Sequence, residues 1–208
     1  MRRSMRKRIA KYPVKKCMGG VIGFSAPEKE IVIQECPKAL ADAVIVPHHY
    51  SHKVTKNSCL SFLVYWRGEV HGAMQIGYGI RPKLKGGYRP EDVREFDRMY
   101  LTDAMPKYSE TICLSLLHHY LRAAHPEIKV LISYADTSAG NTGTIYKAAN
   151  YRLDARIRAD FYVRPSGERV HPVTMWHRHG TRVWSFLQQQ YPGIRKAEGY
   201  QLRFIYEL

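Results

Sequence analysis

The hydrophobic pattern divides the chain into short blocks. Glu30 to Gln34 is a brief β-branched run and predicts a strand, and Pro37 to Val46 predicts a helix opened by proline in its first turn. Leu60 to Trp66 and Glu69 to Ile76 are apolar runs joined at Arg67-Gly68, a hairpin signal. Gly77 to Pro90 follows neither period and is rich in Gly, Lys, Arg and Tyr, so an exposed basic loop is expected before a strand at Arg94 to Leu101. From Tyr108 to Ala124 the apolar residues Ile112, Cys113, Leu116, Leu117, Tyr120 and Leu121 fall on one helical face, with Ser109 and Glu110 placed as N-cap and first-turn acid. Ile128 to Ala135 reads as a buried strand and Thr142 to Asn150 as a short helix. Phe161 to Val163, Val170 to Met175 and Gln201 to Glu207 read as strands around a last helix at Thr181 to Gln190. This succession predicts an α/β protein with a mixed central sheet flanked by helices. No apolar run approaches the roughly 20 residues of a membrane span, so no membrane partner is expected.

Charge changes the picture from fold to partner. The chain holds 33 Lys+Arg against 18 Asp+Glu, a formal charge of +15. Met1 to Lys16 carry eight of those bases and no acid, a basic arm (residues 1–16) ahead of a single catalytic domain (residues 17–208). The surplus that remains in the body points to a polyanion, nucleic acid first and an anionic membrane surface or acidic protein second, the plain alternative being a solubilising tail on a protein of high pI. Cys17, Cys36, Cys59 and Cys113 form no C-x-x-C pair, which disfavours a zinc finger and fits reduced thiols inside a cell.

Three segments could carry chemistry. His48-His49-Tyr50-Ser51-His52 offers imidazoles and a phenol that could ligate a metal, move protons, contact phosphate or simply lie at the surface. Asp136 ends the strand Ser133-Tyr134-Ala135-Asp136, where ligand sites of α/β sheets gather; it is a candidate base or metal ligand, or the cap of the turn that follows. Tyr146, early in the next helix, either faces the same crevice or joins the core. Ser109 lacks a G-x-S-x-G elbow, and a helix-cap role suits it better than a nucleophile. Without a P-loop or a G-x-G-x-x-G turn, nucleotide hydrolysis and the usual dinucleotide site are disfavoured.

In combination, His49-Tyr50-Ser51-His52, Arg98-Met99-Tyr100-Leu101 with Asp103, Pro106-Lys107 with Ser109-Glu110, Ser133 to Asp136, and Gly143-Thr144-Ile145-Tyr146 with Ala148 resemble the Mom DNA-modification proteins of Mu-like phages. The resemblance spans His48 to Tyr151. It implies a fold similar to the GNAT acyltransferases and conversion of adenine N6 amines in double-stranded DNA to N6-(carbamoylmethyl)adenine. Such a product shields phage DNA from restriction in the cytoplasm of the infected bacterial host. It further implies Tyr50, Arg98, Ser109, Asp136 and Tyr146 as catalytic positions, acetyl-CoA or a related donor, and an iron ion near His49 and His52. The interval Asp103 to Glu110 lacks the glycine-rich turn with which ordinary GNAT proteins hold the CoA pyrophosphate. The alternative is a basic GNAT-like protein that binds nucleic acid without catalysis or acylates another amine.

Overall fold

The computed structural model describes residues 15–16, 22–26, 30–48, 54–79, 84, 87–158 and 160–208, with side chains from residue 30 onward. The chain forms two compact units, the first comprising residues 1–133, 145–152 and 205–208 and the second 134–144 and 153–204.

In the first unit, β1 (Lys15–Lys16), β2 (Ile22–Ala26), β3 (Ile31–Glu35), β4 (Ser58–Trp66), β5 (Glu69–Gly77) and β6 (Val93–Leu101) lie in sequence order, each antiparallel to its neighbour. The strand β7 (Val130–Asp136) then runs parallel to β6, with Val93 opposite Val130 and Glu95 opposite Ile132. A parallel neighbour needs a crossover, and α2 (Ser109–Ala124) supplies it. The mixed sheet with flanking helices is the class expected from the sequence.

Successive residues of β4 serve opposite faces. Leu63 packs with Ala73 under Ala41 and Ile45 of α1 (Lys38–Ile45). Phe62 meets Tyr120 of α2 edge-on, with ring centroids 5.1 Å apart. Burial on both faces explains why Ser61 to Val64 form an unbroken buried run. Pro37 stands at the N-cap of α1, one residue outside the helix.

The second unit holds a small antiparallel sheet in the order β10 (Arg169–Val170), β9 (Tyr162–Val163), β11 (Arg195–Lys196). Its core is Tyr162, Val170, Met175, Leu187 and Ile194, bordered by Trp184, Phe186 and Tyr191. Two helices each add one of those side chains, Met175 from α4 (Pro172–His179) and Leu187 from α5 (Trp184–Gln190). The strand expected at Val170 to Met175 is thereby corrected, because it stops at Val170 and a helix begins at Pro172. His171 is the N-cap, its Nδ1 accepting from the Val173 amide at 3.1 Å, Pro172 occupies the first turn, and Gly180 closes the helix at φ +66°. Apart from this three-stranded sheet, β8 (Arg152–Arg158) is an edge strand beside β12 (Tyr200–Glu207), where the sequence pattern predicts none. Leu153, Ala155 and Ile157 alternate there with charged residues, a composition suited to an edge. Between β7 and β8 lies the short helix α3 (Thr144–Ala148).

Candidate functional site

A chain of partly buried polar groups runs from α1 through β5 to β6 in the first unit. Gln75, two residues beyond Ala73 on β5, has no exposed surface. Its Nε2 donates to Asp42 Oδ1 at 2.7 Å, and its Oε1 accepts from Thr55 Oγ1 at 3.0 Å. Lys38 Nζ donates to the other Asp42 oxygen, and the Thr55 and Ser58 hydroxyls share a hydrogen bond. The Ser58 hydroxyl reaches on to Asp97.

Asp97 is the extra residue of a β-bulge, since Arg98 pairs with Gln75 while Phe96 already pairs with Ile76. Its Oδ2 is buried without a hydrogen-bond partner. Gly77 lies directly against that oxygen, and a side chain at position 77 would collide with it. Burial, assisted by the Glu95 charge, pushes the Asp97 carboxyl up to about 7 against the opposing pull of Arg98 and Ser58. The sequence reading passed over this acid. An aspartate flanked by Phe96 and Arg98 in an alternating strand carries no sign that a bulge turns it inward.

Of the expected site residues in this unit, Arg98 is half-buried in the bulge beside Asp97. Tyr146 packs its ring edge-on to Phe96, with centroids 6.4 Å apart, and against Tyr151 at 5.5 Å. Ser109 is 2% exposed and is the first residue of α2 rather than its cap. The cap is Tyr108 in a left-handed conformation (φ +74°). The tight turn brings the Pro106 carbonyl to Ser109, which donates to it from both its amide (3.1 Å) and its hydroxyl (2.6 Å). The turn can present Lys107 and the first α2 amides to an anion, with Glu110 opposing, and is not a glycine-rich backbone cradle.

Behind these residues, His118 Nε2 lies 3.0 Å from the Tyr151 hydroxyl and its ring stacks on Tyr206 with centroids 3.7 Å apart. Desolvation holds the imidazole well below its usual range, hence neutral, and pushes the Tyr151 phenol well up.

In the second unit Asp136 ends β7 and caps the turn Thr137–Ala139, with Oδ1 accepting from the Ser138 amide at 2.9 Å and from the Ser138 hydroxyl. Arg169 Nη2 donates to Oδ2 at 2.6 Å and also reaches the Ser138 hydroxyl. The guanidinium lies 4.8 Å from the centre of the Phe161 ring. Both carboxyl oxygens are thus engaged by donors, Oδ1 by two from Ser138 and Oδ2 by one from Arg169, which ties the strand end to the turn.

His49, Tyr50 and His52 lie outside the described residues, as do residues 1–14 of the arm and residues 80–83, 85 and 86 of the basic loop. His48, which precedes them, stacks on Tyr100 at 4.2 Å with the rings nearly parallel. Among the described residues no group of three or more His, Cys, Asp or Glu side chains is placed to hold a metal ion. No described helix is long and apolar enough to cross a membrane.

Comparison with known proteins adds a family. A model of the Mom protein family matches residues 30–208, beyond the His48 to Tyr151 stretch that carries the motifs. The methylcarbamoylase Mom of Escherichia phage Mu is 31% identical over 163 residues, which cover 76% of this chain and 66% of that protein's own length. Among solved structures, the IAA acetyltransferase from Bacillus cereus ATCC 14579 is similar at 14% identity, covering 86% of this chain and 99% of that one, with a TM-score of 0.47. A GNAT family acetyltransferase from Elizabethkingia anophelis with acetyl-CoA bound is similar at 12% identity, with the same coverage and a TM-score of 0.46.

Proposed function

Because the chain belongs to the Mom protein family, we propose that it is a phage DNA-modification transferase that converts the N6 amine of adenine in duplex DNA to N6-(carbamoylmethyl)adenine. The observation that carries this reading is the family match across residues 30–208, which takes in Arg98, Ser109, Asp136 and Tyr146 together. The net charge of +15 fits a polyanionic substrate.

The chemistry sets the demands on these residues. Adenine N6 is stacked and paired in a duplex, so the base has to be turned out before it reacts. The amine lone pair is delocalised into the ring, and the nitrogen must lose a proton as it gains a bond to carbon. In this reading Tyr146 presents its hydroxyl from a ring fixed by Phe96 and Tyr151, and Arg98 supplies positive charge from the bulge. Asp136 is a positioning residue, holding Arg169 and the turn through Ser138. Ser109 keeps the entry to α2 closed on Pro106. Acyl transfer from acetyl-CoA would give an N-acyl adenine, so the donor in this reading carries its leaving group on the carbon that becomes the CH2 of the carbamoylmethyl group and releases it as the N6–C bond forms and the N6 proton departs.

Modified adenine changes what endonucleases read. Plasmid from cells expressing the chain should resist endonucleases whose sites contain adenine and remain open to those whose sites have only G·C pairs. Equal cleavage of plasmid from expressing and empty-vector cells would overturn the reading.

A further inference from the structure

The helix α4 has two apolar faces. One carries Pro172 and Met175 into the core of the second unit. The other shows Val173 and Trp176 to solvent, 48% and 54% exposed, and Val183 joins them at 58% just beyond the helix. A two-turn helix that already buries one apolar stripe gains nothing for its own stability from a second, outward-facing one. Val173, Trp176, His177 and Arg182 line a cleft of about 330 Å³ on this side.

The electrostatic setting selects an occupant. From Val170 to Ala197 the chain contains Arg178, Arg182, Arg195 and Lys196 and not one Asp or Glu. An exposed indole in a basic, acid-free stretch of the chain is complementary to nucleic acid, where bases supply aromatic faces and phosphates supply charge.

We infer that Trp176, with Val173 and Val183 beside it, is an apolar wedge that packs against an unstacked base of duplex DNA while Arg182 holds a flanking phosphate. The inference rests on DNA being the substrate, and gives the second unit a task in that reaction. Turning a base out of a duplex costs stacking, and a side chain inserted at the vacated step replaces part of it.

The test uses the full chain and a labelled duplex carrying 2-aminopurine, whose fluorescence rises when it unstacks. Wild-type protein should bind and raise the signal. Trp176→Ala should bind roughly ten- to hundredfold more weakly and abolish the rise, with unchanged thermal melting, and Trp176→Phe should retain most of both. Arg182→Gln should weaken binding and lower the slope of log affinity against log salt by about one. Undiminished affinity and an intact rise for Trp176→Ala would overturn the wedge. So would a wild-type dimer that Trp176→Ala dissociates without loss of DNA affinity, which would make the face a contact between copies. If wild-type protein modifies adenine while Trp176→Ala binds normally, the wedge alone falls; if binding depends on Trp176 but no adenine is modified, the enzymatic reading alone falls.

Discussion

Tyr146→Phe is expected to reduce adenine modification by at least about 100-fold while leaving thermal stability almost unchanged. The ring rather than the hydroxyl makes the packing contacts with Phe96 and Tyr151, so phenylalanine keeps them. A conservative loss of one oxygen that removes activity without changing the fold separates a chemical role from a structural one. The companion variant Phe96→Leu should move stability and activity together, since it alters the platform on which Tyr146 rests. Normal modification by Tyr146→Phe, measured in single turnovers with circular dichroism as the check on folding, would remove the phenol from the reaction.

Asp97→Asn is expected to change the pH dependence of stability. The native carboxyl is pushed up to about 7, whereas an unfolded aspartate ionises near 4. Between those values the native state holds a proton that the unfolded state has released, so stability falls as pH rises from about 4 to about 7 and stays low above it. The loss amounts to roughly 4 kcal/mol if the whole shift is expressed. Asparagine cannot ionise and should abolish this component, so the variant's stability relative to wild type should be greater at pH 8 than at pH 5. Other carboxyls contribute with the opposite sign; the Asp92 carboxyl, for example, is lowered chiefly by Arg89. The difference between wild type and variant in urea unfolding at the two pH values isolates Asp97. Identical slopes would show that the buried oxygen costs nothing.

The elements legible in the sequence are those whose own pattern decides them. The hairpin through Arg67-Gly68 and the helix ending at Ala124 lie where expected because their apolar residues repeat at the strand and helix periods. Val170 to Met175 misled because its apolar residues fit either period, although Pro172 and Gly180 bracket a helix in the positions those residues favour. β8 was hidden by its charge, an edge strand being the one place where such a strand is stable. Of the candidate site residues, Asp136 and Tyr146 stand out in the sequence by position, and Arg98 and a catalytic Ser109 only through the family resemblance, but only coordinates could reveal the Ser109 bond to Pro106 or the engagement of Asp136 by Arg169, which is 33 positions away. Gln75, Asp42 and Asp97 escaped notice for the same reason. Their pairing depends on α1 lying over β5 and on a one-residue bulge, neither of which leaves a local signature.

The most direct test of the enzymatic reading is mass spectrometry of nucleosides from DNA of cells expressing the full chain, alongside cells expressing Tyr146→Phe. N6-(carbamoylmethyl)deoxyadenosine should appear in the first sample and be lost from the second. Only unmodified deoxyadenosine in both, with the protein present and folded, would contradict the assignment.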